Sequence, residues 1–245
     1  MKCLFNLNVF KFMEFAEELK ADSWYIFNDD IESRYNKIKN TYYFNELKRR
    51  ADSNNIHYDH LEIVSWLDNI SIIYNTIDNL FDNEEYEISN ETLNKIHIIG
   101  EYHIPYSNNR ADIAIIYENK IIIVELSYDK FKNHERFKRK LEQVICYKEL
   151  LNNLLNNHIE IATYTLIIEP EVDENNDEII KYSELLKNDV YPNEEKCFIF
   201  SQFIVKYFQN TKKNALNELK NLEDTFIESS TTKKKKTKKS YKTLF

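Results

Sequence analysis

Two runs rich in Ile and Val, ADIAIIY at 111–117 and KIIIVELS at 120–127, stand only two residues apart. β-Branched residues over strand-length segments favour extended chain, and so short a gap suits a hairpin. With Glu118 and Asn119 as the loop, Tyr117 faces Lys120, and counting outward sets Asp112 opposite Glu125. Directly opposed side chains have Cβ atoms about 4.5 to 5.5 Å apart, where like charges repel. A divalent cation compensates naturally, since Mg²⁺ takes one or two carboxylates beside waters and phosphate oxygens. The alternative is a solvent-facing pair at a frayed hairpin end, or another register, because the loop lacks the Asn-Gly signal. Residues 101–128 as a whole read as three consecutive strands.

Helical periodicity surrounds this stretch. From Phe137 to Leu155, Phe137, Leu141, Val144, Ile145, Leu151 and Leu155 make an apolar stripe, and Lys140, Gln143 and Tyr147 share the adjacent flank. Leu61 to Phe81 reads as a long amphipathic helix that buries Ile63, Trp66, Leu67, Ile70, Ile73, Ile77 and Leu80, with Asp59 or His60 near its cap. Phe5 to Leu19 and Tyr42 to Ala51 look helical, as does Asn214 to Leu222, and Trp24 to Ile38 continues as a helical or irregular segment. Ile161 to Ile168 reads as a fourth core strand, 171–178 as a flexible acidic loop, and Cys197 to Phe208 as a strand running into a helix.

The order Asp112, then Glu125-Leu126-Ser127, then Gln143-Val144-Ile145-Cys146-Tyr147 resembles the PD-(D/E)XK nuclease superfamily in its RecB-like branch. That branch carries an Asp on one strand, Glu-x-Lys on the next and Gln-x-x-x-Tyr on the following helix. Ser127 stands where the family has lysine. A second resemblance covers about residues 1–150. Glu62-x-x-Ser65-Trp66, Glu101-Tyr102-His103-Ile104-Pro105 and Arg110-x-Asp112 look like a nuclease-like module found in front of some helicase-related proteins.

The resemblance implies a restriction-endonuclease-like α/β sandwich, a mixed central sheet flanked by helices. It also implies metal-dependent hydrolysis of phosphodiester bonds in DNA, with Glu62, Asp112 and Glu125 holding Mg²⁺ or Mn²⁺ and Gln143 and Tyr147 orienting the site. The other expectation is an inactive descendant that binds nucleic acid or regulates a partner after losing the lysine. Two cations can stand in for that lysine. Lys140 lies one turn before Gln143, and Arg110 falls opposite Ser127 in the hairpin count. Lys140 is preferred, because the resembling modules carry the arginine as well as the lysine.

Composition sets outer bounds. The 245 residues carry a net charge of −8, although seven lysines lie between Lys233 and Lys242, so the body is more acidic than the total suggests. An acidic body argues against holding DNA mainly through its phosphates, although a local basic groove is compatible with it. Three distant cysteines, Cys3, Cys146 and Cys197, leave no framework for disulfides or a four-cysteine metal site and fit reduced thiols in the cytoplasm. The six histidines show no zinc spacing. No signal peptide or membrane-spanning stretch is expected. The expected organisation is one domain over 1–227, with a helical part at 1–81, a catalytic-type core at 82–170 and an addition at 171–227. A low-complexity basic tail follows at 228–245, a nucleic-acid tether or, in a eukaryotic cell, a nuclear signal. DNA is the expected partner; a homodimer and a helicase or other protein partner stay open.

Overall fold

A computed structural model describes residues 1–19, 31–82, 88–128, 134–155, 158–168, 171–172, 178–179, 192–208 and 215–222. The basic tail and most of the acidic stretch after Ile168 lie outside the described residues.

The hairpin forms in the register counted from its loop. Strands β3 (Arg110–Tyr117) and β4 (Lys120–Tyr128) pair from Tyr117↔Lys120 to Ile113↔Val124, closed by a two-residue turn with a positive φ of 51° at Glu118. Strand β2 (His97–His103) pairs antiparallel with β3, and β1 (Phe5–Asn8) with the outer side of β2. On the other side, β5 (Glu160–Ile168) runs parallel to β4. Parallel neighbours need a crossover, and the 21-residue helix α6 (His134–Leu154) supplies it. The result is a five-stranded mixed sheet in the order β1-β2-β3-β4-β5, flanked by helices in the restriction-endonuclease-like arrangement.

Alternation along the strands builds two cores. Ile113, Ile115, Ile122 and Val124 face one way, into a cluster with helices α1 (Val9–Glu18), α3 (Tyr42–Ser53), α4 (Glu62–Asp82) and α7 (Pro192–Phe208). Ala114, Ile116, Ile121 and Ile123 face the other, against Val144, Tyr147 and Leu151 of α6 and a helix at 215–222, labelled α8. All seven apolar positions expected on α4 are buried. Each such side chain contributes about 1.5–3 kcal/mol by leaving water. The backbone N–H of Ala215, at the start of α8, donates to the Glu118 carbonyl at the hairpin tip. At the end of α7, Lys120 donates to the Tyr207 carbonyl at 2.7 Å.

Several elements differ from their sequence patterns. The segment from Phe5 begins as strand β1, because its alternating FNLN pairs with β2, and the helix starts only after Asn8 accepts the Lys11 N–H at 2.9 Å. Residues 197–208 belong entirely to helix α7, whose Cys197, Phe200 and Ile204 recur at helical spacing and are buried. At the ends of the acidic stretch, Glu171–Val172 (β6) and Glu178–Ile179 (β7) pair as a short antiparallel ladder. On α6 the buried stripe is rotated. Val144, Tyr147 and Leu151 are inside, whereas Leu141 and Ile145 are exposed, because the inward face must also bring Lys140 and Gln143 towards the sheet. Short helices α2 (Ile31–Ile38) and α5 (Asn90–Lys95) complete the set, the latter without a sequence expectation.

The chain's single glycine has a steric reason. Gly100 pairs with Phe5 across β1 and β2, and a Cβ on it would lie 2.3 Å from the Phe5 ring. That ring is buried between Phe12 and Phe15, at centroid distances of 5.8 and 5.4 Å, so it cannot move aside cheaply. Gly100→Ala should therefore destabilise the fold by about 1–3 kcal/mol through overpacking. Urea denaturation checks this, and smaller Phe5→Leu should recover part of the loss.

Candidate functional site

The β3–β4 ladder stops short of its carboxylates. Beyond Ile113↔Val124 the strands part, and side chains take over the hydrogen bonds that the backbone gives up. The Leu126 N–H donates to Asp112 Oδ2 at 2.8 Å, and the Asp112 N–H to Glu125 Oε1 at 3.3 Å. Both carboxylates thus sit at the fork, joined by a single cation. Lys140 Nζ lies 3.1 Å from Asp112 Oδ2 and 2.5 Å from Glu125 Oε2. Helix α6 delivers that lysine from the flank it shares with Gln143 and Tyr147. Gln143 donates to the Tyr147 hydroxyl, which donates to the Arg110 carbonyl at 3.4 Å, tying α6 to the start of β3.

A third carboxylate stands on the next strand. The pairs Gly100↔Ile113 and Tyr102↔Ala111 bracket Glu101 and Asp112, so Asp112 sits in the row between Glu101 of β2 and Glu125 of β4. The strands are irregular there. Ile99 and Tyr102, three apart rather than two, both join the core on the α6 side, as do Ala111 and Ala114. Glu101 itself has a φ of 53°, a left-handed conformation that costs a non-glycine residue about 1–2 kcal/mol. This irregularity turns a buried carboxylate towards Arg110, whose Nε lies 2.6 Å from Glu101 Oε2.

Arg110 gathers the rest. It pairs with His103 in the sheet, and the described β3–β4 ladder ends before it could face Ser127. Its guanidinium has a second amine 2.6 Å from Glu62 Oε2 and donates from a third nitrogen to the His57 carbonyl at 3.1 Å, with the Trp66 ring 5.5 Å away. Glu62 is in place because α4 begins there, its entry fixed by Asp59, which accepts the Leu61 N–H at 2.9 Å. Of the three residues expected to share a metal, Asp112 and Glu125 come together, while Glu62 is held one arginine away. Among the described residues no group of three or more His, Cys, Asp or Glu side chains is arranged to hold a metal ion. A cavity of about 400 Å³ reaches Asp112 and is lined by Lys2, His57, Glu101, His103, Asn108 and Arg110 among others.

Burial governs the electrostatics. Glu125 is fully buried, and loss of solvent, with the nearby Asp112 charge, pushes its carboxyl up to about 8 despite Lys140. Glu101 moves the same way, first through burial and then through Asp112. Burial works against the charge on Lys140, but Asp112 and Glu125 outweigh it and hold the ammonium at about 12. Burial raises Tyr147 to about 12, so its hydroxyl stays protonated as a donor. Asp112 and Glu125 present carboxyl oxygens, the ligand type that a hard dication takes, at the point where Lys140 already bonds both.

Glu101 is the site residue that sequence reasoning passed over. It stood within the Glu-Tyr-His-Ile-Pro motif, but the six-residue connection 104–109 leaves the β2–β3 register uncountable. The chain matches no protein-family model, no curated protein and no solved structure at a significant level.

The Glu125 shift fixes a pH dependence. Its ordinary value is 4.5 and its folded value about 8, so between them the native state binds a proton that the unfolded chain has released. Stability should be greatest below about 4.5 as far as this group is concerned, fall as pH rises through that window and level off above about 8. Glu125→Gln should flatten that part of the profile, measured as urea midpoints across the window; an unchanged slope would assign the dependence to another group.

Proposed function

We propose that the protein is a metal-dependent nuclease that hydrolyses phosphodiester bonds in DNA. The observation that supports this reading is the pair Asp112 and Glu125 at the fork of the hairpin, in a restriction-endonuclease-like sheet, with a lysine at both carboxylates. Asp112 and Glu125 would hold Mg²⁺ or Mn²⁺, which when bound polarises the scissile phosphate and lowers the pKa of water. Glu62 is the third candidate for that role.

The chain's own groups supply the rest. Lys140 replaces the cation missing at Ser127. Held protonated, it serves as a fixed positive charge beside the phosphate as negative charge builds in the transition state, and is a poor proton acceptor at neutral pH. Gln143 and Tyr147 hold the start of β3, and so Asp112, at a set distance from α6. Arg110 presents its guanidinium at the wall of the cavity that reaches Asp112, where a strand's phosphates can approach.

A second reading has its own observation. Lys140 bonds both carboxyl groups from within the chain, an internal partner that a lapsed nuclease retained for binding nucleic acid or a partner would also need. In either reading DNA is the proposed partner, with a second copy of the chain or a helicase as further candidates. Among the described residues Cys3, Cys146 and Cys197 form no disulfide, which suits a reducing cytoplasmic setting. Among the described residues no helix is long and apolar enough to cross a membrane.

Incubation of the protein with end-labelled DNA and Mg²⁺ or Mn²⁺ separates the two. The nuclease reading expects cleavage that Asp112→Ala abolishes. Lys140→Ala should lower it by about 10²-fold or more with metal binding retained, and Ser127→Lys should restore part of that loss. An inert wild type that gains cleavage only as Ser127→Lys would establish the binding module instead.

A further inference from the structure

Arg110 is bound unequally on its two sides. Its Nε meets Glu101, whose side chain is 6% exposed, whereas its outer amine meets Glu62, whose side chain is 44% exposed. The two contacts have the same length, 2.6 Å, but only the outer one is open to competition from solvent or ligand. Buried, desolvated ion pairs hold, and solvated ones exchange at little cost. The cavity that Arg110 lines carries donors on Lys2, His57, His103 and Asn108 beside the carboxylates of Glu101 and Asp112, so an anion entering it is held through those donors and the guanidinium. A guanidinium binds phosphate oxygens through the same fork that binds a carboxylate.

We propose that Arg110 is a latch on Glu62: Glu101 holds the arginine in place, a phosphate of the bound DNA strand displaces Glu62 from its outer amine, and the released Glu62 becomes available to the Asp112–Glu125 pair. The inference rests on the nuclease reading of this site and adds a regulation to it. It accounts for Glu62 lying one arginine away from the two carboxylates. Strand binding and metal binding then support each other, since both are opposed by the same ion pair. Coupling of this kind is reciprocal, so the factor by which the strand tightens metal binding equals the factor by which metal tightens strand binding. Glu101 is a positioning residue in this scheme, because it keeps the guanidinium from following Glu62 or turning onto Asp112.

The test uses the full chain and a short single-stranded oligodeoxynucleotide with phosphorothioate linkages, followed by fluorescence anisotropy. In EDTA, Glu62→Ala should bind it at least about fivefold more tightly than the wild type, because Arg110 no longer has to release a carboxylate. Glu142→Gln, which removes an exposed charge from α6, should change binding by less than about twofold and so measures general charge loss. Calorimetry with Mn²⁺ gives the second arm. The wild type should bind Mn²⁺ at least about fivefold more tightly with the oligonucleotide than without it, and Glu62→Ala should lose that enhancement. Unchanged or weaker strand binding by Glu62→Ala in EDTA overturns the latch, as does an enhancement that survives in that variant. Absence of Mn²⁺ binding to every form overturns the nuclease reading instead, and the EDTA arm still decides whether Glu62 and a strand compete for Arg110.

Discussion

A carboxyl group with no access to water is tolerated only when its oxygens are hydrogen-bonded and any charge it carries is matched, and Glu125 is wholly buried. The site follows from meeting that demand. Lys140 reaches it from α6, but to do so the helix must turn its lysine flank inward, which leaves Leu141 and Ile145 exposed and seats Tyr147 in the core. Tyr147 then needs a partner for its hydroxyl and finds the Arg110 carbonyl, so the orientation of α6 and the end of β3 are set together. The parting of the two strands beyond Val124 belongs to the same arrangement, since the carboxylates replace the ladder's backbone partners.

The other half of the site is a second ion network with its own logic. Glu101 is carried inward by a left-handed backbone conformation and meets Arg110, which also bonds Glu62 and a backbone carbonyl. Two networks of opposite construction therefore flank Asp112. In one, a single lysine serves two carboxylates from α6; in the other, a single arginine is divided between β2 and α4. Asp112 belongs to the first by hydrogen bonding and adjoins the second through the strand row, which makes it the residue through which a change on one side is felt on the other.

The sheet's tolerance for these charges comes from packing elsewhere. Ile-rich strands bury both faces over most of their length, and α4 and α7 close one side while α6 and α8 close the other. Gly100 lets the Phe5 ring lie directly on β2, so β1 caps the sheet edge immediately beside the strained Glu101. The irregular backbone is thus backed by an aromatic cluster as well as by backbone bonds on either side of it, from the Leu4 N–H to the Gly100 carbonyl and from the His103 N–H to the Lys2 carbonyl.

Sequence alone determined what short-range geometry determines. A two-residue loop pins its own register, so the β3–β4 pairing could be counted, and the apolar positions that helical periodicity named on α4 are all buried, although Val64 and Ile72 are buried beside them. The i, i+3, i+7 spacing placed Lys140, Gln143 and Tyr147 on one flank, where the structure finds them. It could not decide which flank of α6 faces the sheet, because an apolar stripe and a charged flank compete and only the buried Glu125 settles the matter. Nor could it assign Glu101, since a six-residue connection leaves register undetermined and nothing in a glutamate announces a positive φ. The start of β1 and the single helix at Pro192–Phe208 also waited on tertiary partners: an edge of β2 in one case, the faces of α4 and the sheet in the other. The division of Glu62 from the Asp112–Glu125 pair is likewise a tertiary result, for it depends on one arginine's choice among carboxylates brought together from distant parts of the chain.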